Sequence, residues 1–335
     1  MASIKDVAKR ANVSTATVSR VLNGSGVVQE AKREAVQEAI KELGYYPNAV
    51  ARSLKSDTTH TVGILVSDIS NMFFTVLAKA VEDSISSFGY NIIMCSTENS
   101  KSREKAYLDM LVSKKVDGIL INTTGENDTY IAEISKQIPF VAIERSINHN
   151  LYQGDYVAND NKIAIRMLTE LLINNGHRKI GVINGPQHLS SAYERYEAFC
   201  SEMSKIVKIN KNKYKYRYDG DFSVNSGFDG AKYLYHLEER PTAVIVMNNM
   251  MMVGALKYFK TEGILIPEQM SIVNYGDLQN PEILYVKPTF SSLSPELIGV
   301  KAAELLLERI KNRGGCRKEI LMVSQMVQGE TVKRL

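Results

Sequence analysis

A chain of 335 residues, 44% hydrophobic and 23% charged, is long enough for two or three soluble domains, each with its own core. The net charge of +4 is mild but unevenly placed, because residues 1–60 carry nine Lys or Arg against six Asp or Glu, a local excess suited to phosphate neutralisation. The N-terminus is polar and no run approaches about 18 apolar residues, so neither membrane spanning nor secretion is expected and a cytoplasmic location is; Cys95, Cys200 and Cys316 lie too far apart for a disulfide framework or metal spacing and read as buried thiols.

In chain order, Ser3 with Asp6 three residues later marks a helix start. Ala11-Asn12 ends that helix, Asn being the best non-Gly occupant of a left-handed turn position. Ser14 caps a second helix with Val18, Val21 and Leu22 on its apolar side, while Thr15, Ala16, Thr17, Ser19 and Arg20 point elsewhere. A third helix spans residues 29–43, with Ala31, Ala35, Val36, Ala39 and Ile40 at helical spacing and Gly44 closing it. Two short helices meeting at a tight turn, backed by a third, describe a helix-turn-helix reading head. A solvated helical hairpin would use the same caps, but helix lengths, turn residue and caps agree better with the head. Residues 48–54 follow Tyr46-Pro47 and are too few for a stable helix in water, so on pattern alone an ordinary linker remains open.

Residues 4–26 (IKDVAKRANVSTATVSRVLNGSG), the third helix and residues 43–56 (LGYYPNAVARSLKS) together resemble the LacI/GalR family of bacterial transcription regulators, over essentially the whole chain. The resemblance implies that the second helix enters the major groove. Thr15, Ala16, Thr17, Ser19, Arg20 and Asn23 would then face DNA, with Arg20 able to donate a bidentate pair to guanine. It further implies a hinge helix over residues 48–54 that folds only when paired across a dimer, presenting Asn48, Arg52 and Lys55 to DNA and wedging Leu54 into the minor groove. The implied organisation is a helix-turn-helix head at 1–46, a hinge helix and linker at 47–58, and at 59–335 a two-lobed α/β core like the periplasmic binding proteins, serving effector binding and dimerisation.

From residue 61 the pattern changes. Apolar strands are predicted over residues 61–67, 90–96, 118–122 and 140–144, then over 179–183, 243–247 and 271–275, with amphipathic segments between. The first such helix would bury Phe73, Val76, Leu77, Ala80, Val81 and Ile85. Near-continuous apolar strands separated by helices argue for parallel sheets covered on both faces, and two series argue for two lobes.

Ligands of open parallel sheets bind beyond the carboxyl ends of the strands. Loops there supply Asp68, Asn71, Phe73, Glu144, Arg145, Arg195, Phe222, Asn248 and Asp277 as candidate effector residues. Amides, carboxylates and Arg facing a flat ring suit a polyhydroxylated ligand, although each residue would equally serve as a cap or turn. Several positions depart from the family pattern: Met72 replaces the usual Pro, residues 290–295 are one residue short and lack the usual Gln, and, of most consequence, Asn249 replaces the Asp of the usual Ala-Asn-Asp and Gly276 stands where the carboxylate most used for ligand hydroxyls belongs. Met250, Met251 and Met252 read as core.

The five histidines are scattered, phosphate-loop and dinucleotide motifs are absent, and no catalytic constellation, metal site or cofactor is expected. His177 reads as a structural turn residue. The expected function is a repressor of carbohydrate uptake or catabolism genes, binding a near-palindromic operator as a homodimer under control of a sugar or sugar phosphate. The alternatives are the same fold controlled by a protein corepressor or non-sugar effector, and a stand-alone sugar-binding protein or lobe-derived enzyme. A final strand over residues 320–327 with no heptad tail after it leads to the expectation of a dimer rather than a tail-linked tetramer.

Overall fold

The computed structural model describes residues 2–23, 26–45, 58–148 and 150–335. The chain forms two compact units, Met1–Thr59 and His60–Leu335. The predicted hinge contacts Asn48, Arg52, Leu54 and Lys55 lie outside the described residues, as does the side chain of Asn23.

In the first unit, helices α1 (Ile4–Arg10), α2 (Thr15–Asn23) and α3 (Glu30–Leu43) enclose Val7, Ala8, Val18, Val36 and Ala39. Local chemistry accounts for each boundary. The Ser3 hydroxyl accepts from Asp6 N while the Asp6 carboxylate accepts from Ser3 N, a reciprocal box that satisfies two otherwise orphaned donors. Asn12 takes φ 51°, Ser14 Oγ accepts from Thr17 N at 3.1 Å, and Gly44 ends α3 at φ 54°. An Arg10–Glu42 ion pair at 2.7 Å ties α1 to the end of α3.

The second unit is built on two sheets. Strands β1 (Thr61–Val66), β2 (Asn91–Ser96), β3 (Gly118–Ile121), β4 (Phe140–Ile143) and β5 (Asp155–Asn159) alternate with α4 (Met72–Ser86), α5 (Lys101–Ser113) and α6 (Asp128–Ile134) in the first lobe. The second lobe contains α7 (Asn161–Asn174), β6 (Ile180–Asn184), α8 (Ser190–Met203), β7 (Arg217–Asp219), α9 (Val224–Tyr235), β8 (Ala243–Val246), α10 (Asn249–Thr261), β9 (Ser271–Tyr275) and β10 (Thr289–Ser292). The chain then returns to the first lobe as α11 (Pro295–Lys311) and β11 (Glu319–Met322), and finishes in the second as β12 (Gln325–Val327). Among the described residues the strand orders are β11-β5-β4-β3-β1-β2 and β12-β10-β9-β8-β6-β7. The connection therefore passes between lobes three times.

Three expectations need correction here. The final strand over residues 320–327 is two strands, one per sheet, and β12 runs antiparallel to β10, so the second sheet is not purely parallel. The buried stripe of α4 is Phe74, Leu77, Ala78, Val81 and Ile85, while Phe73, Val76 and Ala80 are only half-buried. Helix α11 packs along α4 so closely that a Cβ on Gly299 would lie 2.5 Å from Leu77 O and 2.8 Å from Ala80 Cβ. Cys95 and Cys200 are buried as expected, but Cys316 is exposed in the loop before β11.

The returning segment is pinned electrostatically. Arg309 Nε and Nη2 each donate to the Asp155 carboxylate at 2.7 Å, and Lys318 N donates to the same group at 2.8 Å. A bidentate pair with Asp155 fully buried fixes α11 and β11 against β5 by geometry as well as charge. The tail is anchored by His177, whose Nδ1 pairs with Thr242 Oγ1 at 2.8 Å and whose Nε2 pairs with Lys333 O at 3.1 Å. Burial pushes this imidazole below its ordinary pKa, consistent with a structural role.

Candidate functional site

In the reading head, Val18 is fully buried and turns the opposite side of α2 outward, leaving Thr15, Ala16 and Arg20 exposed. Arg20 makes no ion pair among the described residues, and α2 contains no acidic residue, so its exposed side can approach phosphates without like-charge repulsion. Thr17 is different: its hydroxyl pairs with Ser14 Oγ at 2.9 Å, so it is engaged in the cap. Ser19 is half-buried.

An interlobe cavity of about 810 Å³ opens in the core. All nine candidate effector residues line it: Asp68, Asn71 and Phe73 after β1, Glu144 and Arg145 after β4, Arg195 on α8, Phe222 after β7, Asn248 after β8 and Asp277 after β9. They meet because parallel strands deliver their following loops to the same edge of each sheet.

The aromatic floor is Phe222, held at φ +71° over Gly185, where an added Cβ would come within 2.2 Å of the ring. The guanidinium carbons of Arg145 and Arg195 lie 5.9 and 6.0 Å from the centre of that ring. Arg195 stacks on Tyr275 at 3.7 Å and donates to Asn161 Oδ1 and Met247 O, both at 2.8 Å. Asn161 is in turn held by Glu194 at 2.8 Å. Arg145 donates from Nη1 to Asn99 Oδ1 at 2.8 Å and Thr123 O at 3.0 Å. Burial and then the neighbouring Arg195 charge pull the Arg145 pKa down to about 10.

The acidic candidates are largely occupied. Glu144, at φ 60°, accepts from Asn159 N and Nδ2, both at 2.8 Å; burial raises its pKa and Arg195 opposes that rise. Asp277 accepts from Ser292 Oγ and Leu293 N at 2.7 Å, so it fastens β9 to β10. Asp68 closes a turn onto Ser70. Asn248 caps α10 through Met251 N at 2.9 Å. The cap-or-turn alternative therefore describes Asp68 and Asn248 while they also border the cavity.

The departures at Asn249 and Gly276 occupy one corner. Asn249 Nδ2 donates to Asn71 Oδ1 at 3.0 Å, and Asn71 Nδ2 donates back to Asn249 Oδ1 at 3.1 Å. This reciprocal amide pair joins the lobes directly, which a carboxylate at residue 249 would do only as an acceptor. Gly276 sits at φ +99°, 3.8 Å from Asn249 Cβ at its own Cβ position, in a backbone conformation where any side chain is strained. Asn122 and Tyr275, which are not among the nine candidates, also line the cavity, and their Oδ1 and hydroxyl have no protein partner among the described residues. Both sit among apolar strand residues, and only sheet register aims them at the cleft. Met251 and Met252 are core, whereas Met250 borders the cavity.

Residues 59–326 match the family profile described as periplasmic binding proteins and sugar binding domain of the LacI family, and residues 3–48 match that of bacterial regulatory proteins, lacI family. The chain belongs to the LacI family of transcription regulators. The HTH-type transcriptional repressor PurR of Aliivibrio salmonicida is 34% identical over all of both chains. The lac repressor dimer bound to operator and the anti-inducer ONPF superposes with a TM-score of 0.86 at 23% identity, covering 99% of each chain. The CelR–cellobiose complex follows at 0.74 and 27%, covering 99% of this chain and 100% of that one. As a LacI-family member the protein is a DNA-binding transcriptional repressor and not an enzyme.

Proposed function

We propose that this LacI-family repressor binds a near-palindromic operator as a homodimer and controls carbohydrate uptake or catabolism genes, its operator affinity set by a small polar ligand in the interlobe cavity. The head at 1–46 reads sequence through Thr15, Ala16 and Arg20, the segment at 47–58 responds to the lobes, and the core from residue 59 holds the ligand. Convergence of all nine candidate residues on one cavity with an aromatic floor carries this reading, since a sugar offers hydroxyls to polar groups and an apolar face to a ring. The cellobiose named for one structural relative, and the sugar binding domain named in the matching profile, support the carbohydrate class.

The ligand acts through its different affinity for two arrangements of the lobes, the only way it can shift an equilibrium. The test is selection of operator sequences with the full chain, followed by titration of sugars and sugar phosphates against operator binding. A saturable change in operator affinity is expected. If only a phosphocarrier protein changes it, control belongs to a protein partner. Leu54→Gly should weaken specific binding strongly and non-specific binding little; sedimentation should show a dimer.

A further inference from the structure

Strands β1, β3, β4, β5 and β11 of the first lobe all run parallel, so they start at one edge of the sheet, opposite the edge that lines the cavity. The segments leading into them bring exposed cations together: Lys114 after α5, Lys136 after α6, and Lys311 and Arg313 at and just beyond the end of α11. None of the four forms an ion pair among the described residues, and Lys311 rests 4.9 Å from the centre of the Phe88 ring. The negative ends of α5 and α11 let Lys114 and Lys311 stand there without a carboxylate.

The carboxylates around them are engaged. Asp155 pairs with Arg309, Glu308 with Lys318 and Glu319 with Arg317, while Asp117 accepts from His60 N. Against the four cations stands Glu133, exposed in the last turn of α6. Residues 61–335 carry 32 Lys or Arg against 31 Asp or Glu, so this excess is local and does not reflect a basic core. The chain that carries the reading head enters the core at the same edge, through His60 into β1. A duplex gripped by the head is thus tethered to this edge, and tethering raises the local concentration of its phosphates there above that of any acidic protein free in solution. We propose that this edge of the core is a second DNA-contacting surface, whose unpaired cations neutralise backbone phosphates beside the operator. It adds affinity and salt dependence and reads no bases.

Anisotropy titrations of the full chain over a range of salt concentrations test this, using a duplex trimmed to the selected operator and the same operator extended on both sides. The extended duplex should bind tighter, with a steeper fall of log K against log salt. Changing Lys114→Gln, Lys136→Gln and Arg313→Gln together should flatten that slope by about 2–3 and lower affinity for the extended duplex at least about tenfold at low salt. Binding to the trimmed duplex, and the ranking of operator variants, should stay as in wild type. Lys208→Gln with Lys213→Gln, exposed lysines in the loop before β7 of the other sheet, should leave the slope unchanged. Thermal midpoints check that the variants fold; if the triple variant does not, each single change should flatten the slope by about 1. Equal binding of the two duplexes by wild type, a full slope in the charge-depleted variants, or equal flattening by the Lys208 and Lys213 changes overturns the proposal.

Discussion

Arg20 shows how little of a residue's role depends on its own position and how much on its neighbours. It is exposed, makes no ion pair among the described residues, and is held on a helix whose opposite side is locked by buried Val18. Arg20→Ala should therefore weaken specific operator binding by about 1–3 kcal/mol and relax a single operator position, measured by fluorescence anisotropy across an operator library. An equal loss on every sequence would assign it to phosphate contact. Glu104 is the opposite case, a fully buried carboxylate accepting from Thr124 N, Thr124 Oγ1 and Asn127 Nδ2. Burial raises its pKa above the ordinary 4.5 despite these donors. A raised folded-state pKa means the native protein holds a proton that the unfolded chain has released. Stability is thus lost as pH rises from about 4.5 through the folded value. Glu104→Gln removes that component, so the stability advantage of wild type over the variant should shrink with rising pH in urea titrations at pH 4.5–7. A constant difference would show that burial does not shift the group.

At the scale of elements, the closest packing is between α9 and α10. A Cβ on Gly227 would meet Met251 O at 2.0 Å, and one on Gly254 would meet Val224 O at 1.9 Å. Each helix supplies a glycine against the other's backbone, so neither backbone can yield without moving its own strand connections. Gly254→Ala should destabilise the core on the order of 3 kcal/mol, read as a fall in the thermal midpoint of the full chain. This crossing also sets the cavity, because α10 begins with Asn249 and α9 begins just after Phe222.

For the whole molecule, the Asn71–Asn249 pair is a direct bond between lobes that the chain also links covalently three times. Amide pairs of this kind contribute about 0.5–1.5 kcal/mol, small enough for a ligand to overcome. A double-mutant cycle of Asn71→Ala and Asn249→Ala should return a coupling energy of about that size in unfolding experiments. Additive effects would mean the two amides act independently. In the same cycle the ligand concentration for half-maximal change in operator binding should shift, since each single change frees the lobes to move.

What the amino-acid sequence determines by itself is local. Caps at Ser3 and Ser14, the left-handed Asn12, the closing Gly44 and the apolar strands of both lobes follow from short-range sterics and hydrogen bonding, and the structure has them where the residues place them. The loops after the strands were also legible, because parallel sheets send them to one edge, and so the nine candidates line a single cavity. Long-range pairing was not. The split of residues 320–327 between sheets, the cover that α11 lays over α4, and the Asn71–Asn249 pair join residues up to hundreds of positions apart. Only the tertiary structure decides such contacts, since their energies depend on which surfaces the fold brings together and leave no period in the chain.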